Sequence, residues 1–220
     1  MRTALGTVPE DVSTEGLGMA RPAKTDAAAP TTRRAEILAI AARVIAERGI
    51  KGATVRDIGE AAGILSGSLY HHFESKEQIV LELLLPSVSE QFERSTQICS
   101  AKSSASEALS QLIRSSVATA CSHPNESVIL RNEPRTFEEN EVLAPLAEIR
   151  RKTLVMWLDI VKRGVKSGEF RGDLDADVVV RAIFDGVLGT TRWFGAERRR
   201  RPDDVAAALV DFYVTGLMAR

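Results

Sequence analysis

Thr54-Val55-Arg56-Asp57-Ile58-Gly59-Glu60-Ala61-Ala62-Gly63-Ile64-Leu65-Ser66-Gly67-Ser68-Leu69-Tyr70-His71-His72-Phe73-Glu74-Ser75-Lys76 reads as two short helices around a tight turn. Thr54 with Asp57 three residues on is a capping-box pattern, in which a hydroxyl satisfies an orphan backbone donor, so the spacing predicts a helix start at Thr54. Val55, Ile58 and Ala62 then share one face. Gly63 stands where a helix end wants a residue tolerant of positive φ. Ser66 reads as a second N-cap before Leu69 and Phe73, which are spaced for burial. Ser75, with Gln78 at its N3 position, caps a third helix.

A second helix held by its partner in this way can lie in the major groove and present its first turn to base edges. Its exposed positions are Ser66, Gly67, Ser68, Tyr70, His71 and His72. Small residues at 66 to 68 let the backbone approach DNA, and Tyr70 and the histidines can donate to phosphates or stack on sugars. Arg56 and Lys76 flank the helix. Each can neutralise a phosphate, and the planar fork of Arg56 also matches the two acceptors of a guanine edge.

On these residues the chain resembles the DNA-binding signature of the TetR family of transcriptional repressors, over roughly residues 33 to 80. The resemblance implies base reading by Arg56, Ser66, Gly67, Ser68 and Tyr70, and phosphate contacts from Thr54, His71, His72 and Lys76. It also implies an all-α fold: a three-helix DNA-binding domain over residues 31–77, followed by a helical effector-binding and dimerisation domain over 78–220. Residues 1–30, rich in Gly, Pro, Ala and Thr, read as a disordered arm with neither a secretory signal nor a membrane span. Arg21, Lys24, Arg33 and Arg34 are positioned to bring the end of that arm to phosphates, with a solvated tail as the simpler reading.

The 220 residues carry a net charge of −1 and 44% hydrophobic residues, enough for a full core and too balanced for a nonspecific polyanion binder. Between Thr31 and Lys76 seven Lys or Arg face five Asp or Glu, so specific contacts rather than a basic field must carry recognition. Cys99 and Cys121 form no disulfide framework and no zinc spacing, which fits a reduced cytoplasm. No metal or cofactor is called for.

Ile37, Leu38, Ala41, Val44 and Ile45 recur at helical spacing and Gly49 ends that helix, giving the first of the three DNA-binding helices. The helix capped by Ser75 runs through Ile79 and Leu83 toward a kink at Pro86, and connects the reader to the rest. Beyond Lys102 the periodicity predicts helices near 104–122, 125–132, 139–168, 175–194 and 203–219, with loop signals at Asn132 to Thr136 and Gly195 to Pro202 among others.

In the helix near 139–168, Leu143, Leu146, Leu154, Trp157, Ile160 and Val161 share a broad face with Arg150 in its middle and Thr153 beside it. A guanidinium there needs a partner: a carboxylate such as Asp185 or Glu148 of the partner subunit, or an anionic ligand group. Arg150, Thr153, Trp157 and Trp193 are the candidate ligand-binding residues. Arg181, Asp185 and Arg192 read as a surface network, and Arg198 to Arg201 as a solvated run or an anion contact. Val178, Ala182, Gly186 and Gly189 on one late helix, and Val205, Leu209, Phe212 and Gly216 on the next, suggest a two-fold four-helix interface, hence a near-palindromic operator.

Arg151-Lys152-Thr153-Leu154-Val155-Met156-Trp157, Gly168-Glu169-Phe170-Arg171-Gly172-Asp173-Leu174-Asp175 and Thr190-Thr191-Arg192-Trp193-Phe194 are similar to stretches in actinobacterial repressors of steroid-ring degradation. That resemblance implies a coenzyme A thioester as effector and a homodimeric, cytoplasmic repressor released from a palindromic DNA operator by it, with no membrane contact. The alternatives are a helical enzyme acting on such thioesters, with Cys121 or His123 as catalyst, and a DNA-bound regulator without a small ligand.

Overall fold

Thr54 does cap: its Oγ1 accepts from the Asp57 amide at 3.1 Å, while Asp57 Oδ2 accepts from the Thr54 amide at 2.8 Å. The computed structural model describes residues 33–191 and 201–219, and the first thirty residues, Arg192, Trp193, Phe194 and Arg198 to Arg200 lie outside them. The capping box starts α2 (Val55–Ala62), which ends on Gly63 at φ 67°. It follows α1 (Arg33–Gly52), which breaks at Gly49, φ 75°. The short helix α3 spans Ser66–Leu69, and here the expectation fails in detail: Leu65 holds the N-cap position without a side-chain cap, and Ser66 is the first helical residue. Ser75 caps α4 (Lys76–Ser100) through the Gln78 amide, and α4 continues through Pro86 as one element.

The later helices are α5 (Ala105–Ser122), α6 (Pro124–Asn132), α7 (Pro134–Glu139), α8 (Ala144–Ser167), α9 (Ala176–Gly189) and α10 (Pro202–Leu217). The expected loop from Asn132 to Thr136 is instead a helix boundary, because Pro134 at the first position pre-sets the helical φ of α7 and sacrifices no needed amide. For the same reason the long helix begins at Ala144, with Pro145 in its first turn, and not near residue 139. Asn140 fills the gap, its Oδ1 accepting from the Val142 amide at 3.0 Å.

Two apolar clusters hold the described residues together. One joins α1 to α4 and is completed from the second region by Ile129, Phe137, Leu143 and Leu146. The other packs α5, α8, α9 and α10 around Trp157, Phe170 and Ile183. Val205 and Leu209 belong to this second cluster, so they are not free for a partner as the stripe pattern suggested. An isolated antiparallel bridge between Phe170 and Met218 ties the segment after α8 to the end of α10. Glu169 then caps α5 from outside, its carboxylate accepting from the Ala105 and Ser106 amides at 3.1 and 3.0 Å. Those amides hold its carboxyl below the ordinary carboxylate range.

Phe170 reaches the second cluster only because Gly164 has no side chain: a Cβ there would lie 2.2 Å from the Phe170 ring and 2.9 Å from the Ala105 Cβ. Gly164→Ala is therefore expected to destabilise the fold by about 1–3 kcal/mol through overpacking. Urea denaturation followed by circular dichroism reads this as a lowered midpoint, and an unchanged midpoint would contradict the packing.

Candidate functional site

The turn between α2 and α3 is made by absence. A Cβ at Gly59 would meet the Ile64 carbonyl oxygen at 3.0 Å and the Ser66 Cα at 3.5 Å, so only glycine lets the two helices approach this closely. The Ile64 amide then donates to the Gly59 carbonyl at 2.9 Å, and the Ser68 amide to the Leu65 carbonyl at 2.9 Å. Leu69 and Phe73 are buried beneath. Both cations at the start of α1, read from the sequence as phosphate contacts or, more simply, as part of a solvated tail, clamp this unit. Arg33 donates to the Ala62 carbonyl at 2.8 Å. Arg34 pairs with Glu82 at 2.7 Å, donates to the His72 carbonyl, and sits 4.3 Å from the Phe73 ring centroid.

Most of the expected set stays outward. Tyr70 is 58% exposed, and Thr54, Arg56, Gly67, His71 and His72 are exposed, with Ser66 and Ser68 half-buried. Arg56 makes an exposed pair with Glu60 at 2.8 Å, a contact that water screens and that a phosphate or base edge can replace. Lys76 has a duty that the sequence did not disclose. Its Nζ donates to the Ile50 carbonyl at 2.6 Å and the Ala53 carbonyl at 3.0 Å, leaving one donor for a phosphate. Leu65, which is not among the expected contacts, is 80% exposed beside α3.

A second site lies in the helical core. Ser87, Val88 and Gln91 of α4, Ser116 and Thr119 of α5, Leu130 of α6, Arg150, Thr153 and Trp157 of α8, and Phe184 of α9 line a cavity of about 650 Å³ counted to its open mouth. Three of the four candidate ligand residues, Arg150, Thr153 and Trp157, meet there, and Trp193 lies outside the described residues. Arg150 bonds neither Asp185 nor Glu148 within the chain. Its Nη1 donates to the Leu130 carbonyl at 3.3 Å and its guanidinium lies 5.4 Å from the Phe184 centroid, while Glu148 pairs with Arg151 and Lys152. Burial pushes the Arg150 pKa down, Asp185 opposing it. Arg181 pairs with Asp177 at 2.6 Å, not with Asp185 as the stripe suggested.

Thr153 donates to the Ile149 carbonyl at 2.9 Å, and the buried Trp157 indole nitrogen has no partner among the described residues. Sequence reading missed Gln91, whose amide accepts from Thr119 at 2.9 Å and donates to Ser116 at 2.8 Å, tying α4 to α5 at the cavity wall. No local signal marked it, because Ser89, Glu90, Glu93 and Arg94 around it are polar as well. Burial raises the Cys121 thiol, which disfavours the nucleophilic thiolate. Among the described residues no group of three His, Cys, Asp or Glu could hold a metal, and no helix is long and apolar enough to cross a membrane.

Residues 37–83 match the bacterial regulatory proteins of the tetR family, and residues 102–217 match the tetracyclin repressor-like C-terminal domain. The chain belongs to the TetR family. It is 34% identical over 199 residues to the transcriptional repressor KstR2 of Rhodococcus jostii, covering 90% of this chain and 98% of that one. The structure of the ketosteroid transcriptional regulator KstR2 of Mycobacterium tuberculosis superposes with a TM-score of 0.78 at 33% identity, covering 87% of this chain and 98% of that one. The regulator FadR of Bacillus subtilis in complex with stearoyl-CoA gives a TM-score of 0.60 at 26% identity, covering 83% and 98%. The protein is a helix-turn-helix DNA-binding transcriptional repressor and not an enzyme.

The repressor's reading head thus depends on Lys76 for support. Lys76→Met removes a charged donor from two carbonyls and is expected to cost about 1.5–3 kcal/mol of stability. A urea midpoint unchanged by the substitution, with operator affinity lowered, would show the lysine to serve phosphate alone.

Proposed function

We propose that the repressor works as a cytoplasmic homodimer on a near-palindromic operator and is released by a coenzyme A thioester, acyl- or steroid-derived, bound in the core cavity. The observation that carries the reading is continuity. The helix whose first turn supports the reading head through Lys76, Ile79 and Val80 also lines the cavity with Ser87, Val88 and Gln91. A ligand that shifts one end of α4 must move the other. Thr54, Arg56, Ser66, Gly67, Ser68, Tyr70, His71 and His72 form the DNA-facing surface in this reading, with Arg150, Thr153 and Trp157 facing the effector.

Several features support the effector class. The cavity wall is mainly apolar and carries a half-buried cation, Arg150, with no carboxylate bond among the described residues, which suits an apolar body with an anionic or carbonyl oxygen. FadR holds stearoyl-CoA on a related chain, and KstR2 is a ketosteroid regulator. An effector that prefers the released form by about 3 kcal/mol shifts the equilibrium by about two decades, enough for a switch.

Pairing of two copies is supported by the outer face of α9 and α10, where Val178 is 60% and Phe212 73% exposed and Ala182 and Gly216 lie open. Small residues between two large apolar ones allow a second copy to approach closely. Reading heads about 34–36 Å apart then meet successive major grooves.

Gel retardation of its own promoter fragment is expected to show a shifted band that one thioester of an acyl and steroid-acid panel abolishes. Loss of the shift with none of the panel, together with no heat of binding, would remove the effector assignment. Sedimentation is expected to give a dimer for the native chain and a monomer for Phe212→Asp at micromolar concentration, with at least tenfold weaker operator binding. A Phe212→Asp dimer of native affinity would place the interface elsewhere.

A further inference from the structure

We infer that Leu65 is a specificity-determining residue that packs its side chain on the C5 methyl of a thymine in the major groove. The inference rests on the operator-reading role proposed above. From residue 33 to 141 the exposed large hydrophobics are Leu65, at 80%, and Tyr70, at 58%, and they bracket the four-residue reading helix. Elsewhere in that span apolar side chains of this size are at least partly covered, so exposure concentrated at the two ends of one helix is a pattern and not scatter.

The backbone on both sides of Leu65 is fixed. Gly63 takes the left-handed turn at φ 67°, the Ile64 amide is bound to the Gly59 carbonyl at 2.9 Å, and Ile64 packs on the core. On the other side the Leu65 carbonyl accepts the first amide of the reading helix, from Ser68, at 2.9 Å. Leu65 itself has φ −66° and ψ 143°, extended geometry immediately before α3. Gly63, Ser66 and Gly67 beside it are too small to cover it. The side chain is presented on a rigid base and loses little freedom when it meets a surface.

Chemistry selects what it meets. An isobutyl group has no donor or acceptor, so phosphates and the polar edges of guanine, adenine and cytosine offer it nothing. The thymine methyl is the apolar feature of the major groove. Desolvating Leu65 against that methyl favours thymine at one base pair per half-site, beside the polar contacts of Ser66, Ser68 and Arg56.

The test uses the full chain and a duplex enriched by it from random sequence. Each thymine of that duplex is replaced in turn by deoxyuridine, which removes the C5 methyl alone. The native protein is expected to bind about fourfold more weakly at one position per half-site, the worth of one buried methyl. Leu65→Ala, which alters both copies of the dimer, is expected to lose about sixteenfold on the thymine duplex, the product of two such contacts, and to be indifferent to deoxyuridine there. Because Leu65 lies outside the core, the thermal midpoint of the variant should match the native one. If Leu65→Ala discriminates thymine from deoxyuridine as well as the native chain does, Leu65 is not the reader. If no duplex is enriched at all, the operator-reading role itself fails and this inference falls with it.

Discussion

The corner at Gly49 is the constraint on which the rest of the structure depends. At φ 75° the first helix breaks there, and a Cβ at this position would lie 2.8 Å from Glu133 Oε1. The break leaves the Ile50 amide, the Ile50 carbonyl and the Ala53 carbonyl in need of partners. Glu133, between α6 and α7, accepts from the Ile50 amide at 2.9 Å, and Lys76, opening α4, serves the two carbonyls. Each such group left unpaired in a part-buried place costs about 1–3 kcal/mol. The end of α1, the start of α4 and the end of α6 therefore move as one piece or pay for separation.

In the proposed switch, that coupling is what gives the cavity leverage over the DNA-binding unit. Its walls include α4 through Gln91 and α6 through Leu130, whose carbonyl receives Arg150. Glu133 sits one helical turn beyond Leu130. A displacement of Arg150 or Gln91 thus has two short routes to the corner, one along each helix, and both end on groups that hold the reading head. Packed helices transmit such shifts because close-packed interiors deform little.

The helix-turn-helix was legible in the sequence because its determinants are local. Thr54 with Asp57, Gly63, and Ser75 with Gln78 act within four residues of themselves, and each took the expected role. Ser66 misled because a hydroxyl before an apolar residue imitates a cap, whereas the turn is set by Gly59 and Gly63. Pro134 and Pro145 were helix starts hidden within a stretch expected to hold a loop and a longer helix. The partners of Lys76, Arg34 and Arg150 were not legible at all, since each lies some twenty or more residues away in the chain. The family resemblance was fixed by the first region and extends over the second, where residues 102–217 match.

Thermodynamic coupling between cavity and operator in Glu133→Ala, compared with the native chain, is the most direct measurement. The ratio of operator Kd with and without the releasing thioester gives the coupling factor, and each ligand measured alone gives its own affinity. A corner that transmits the signal predicts a coupling factor reduced at least fivefold, with operator affinity and thioester affinity each retained. An unchanged coupling factor in a folded Glu133→Ala protein would contradict it.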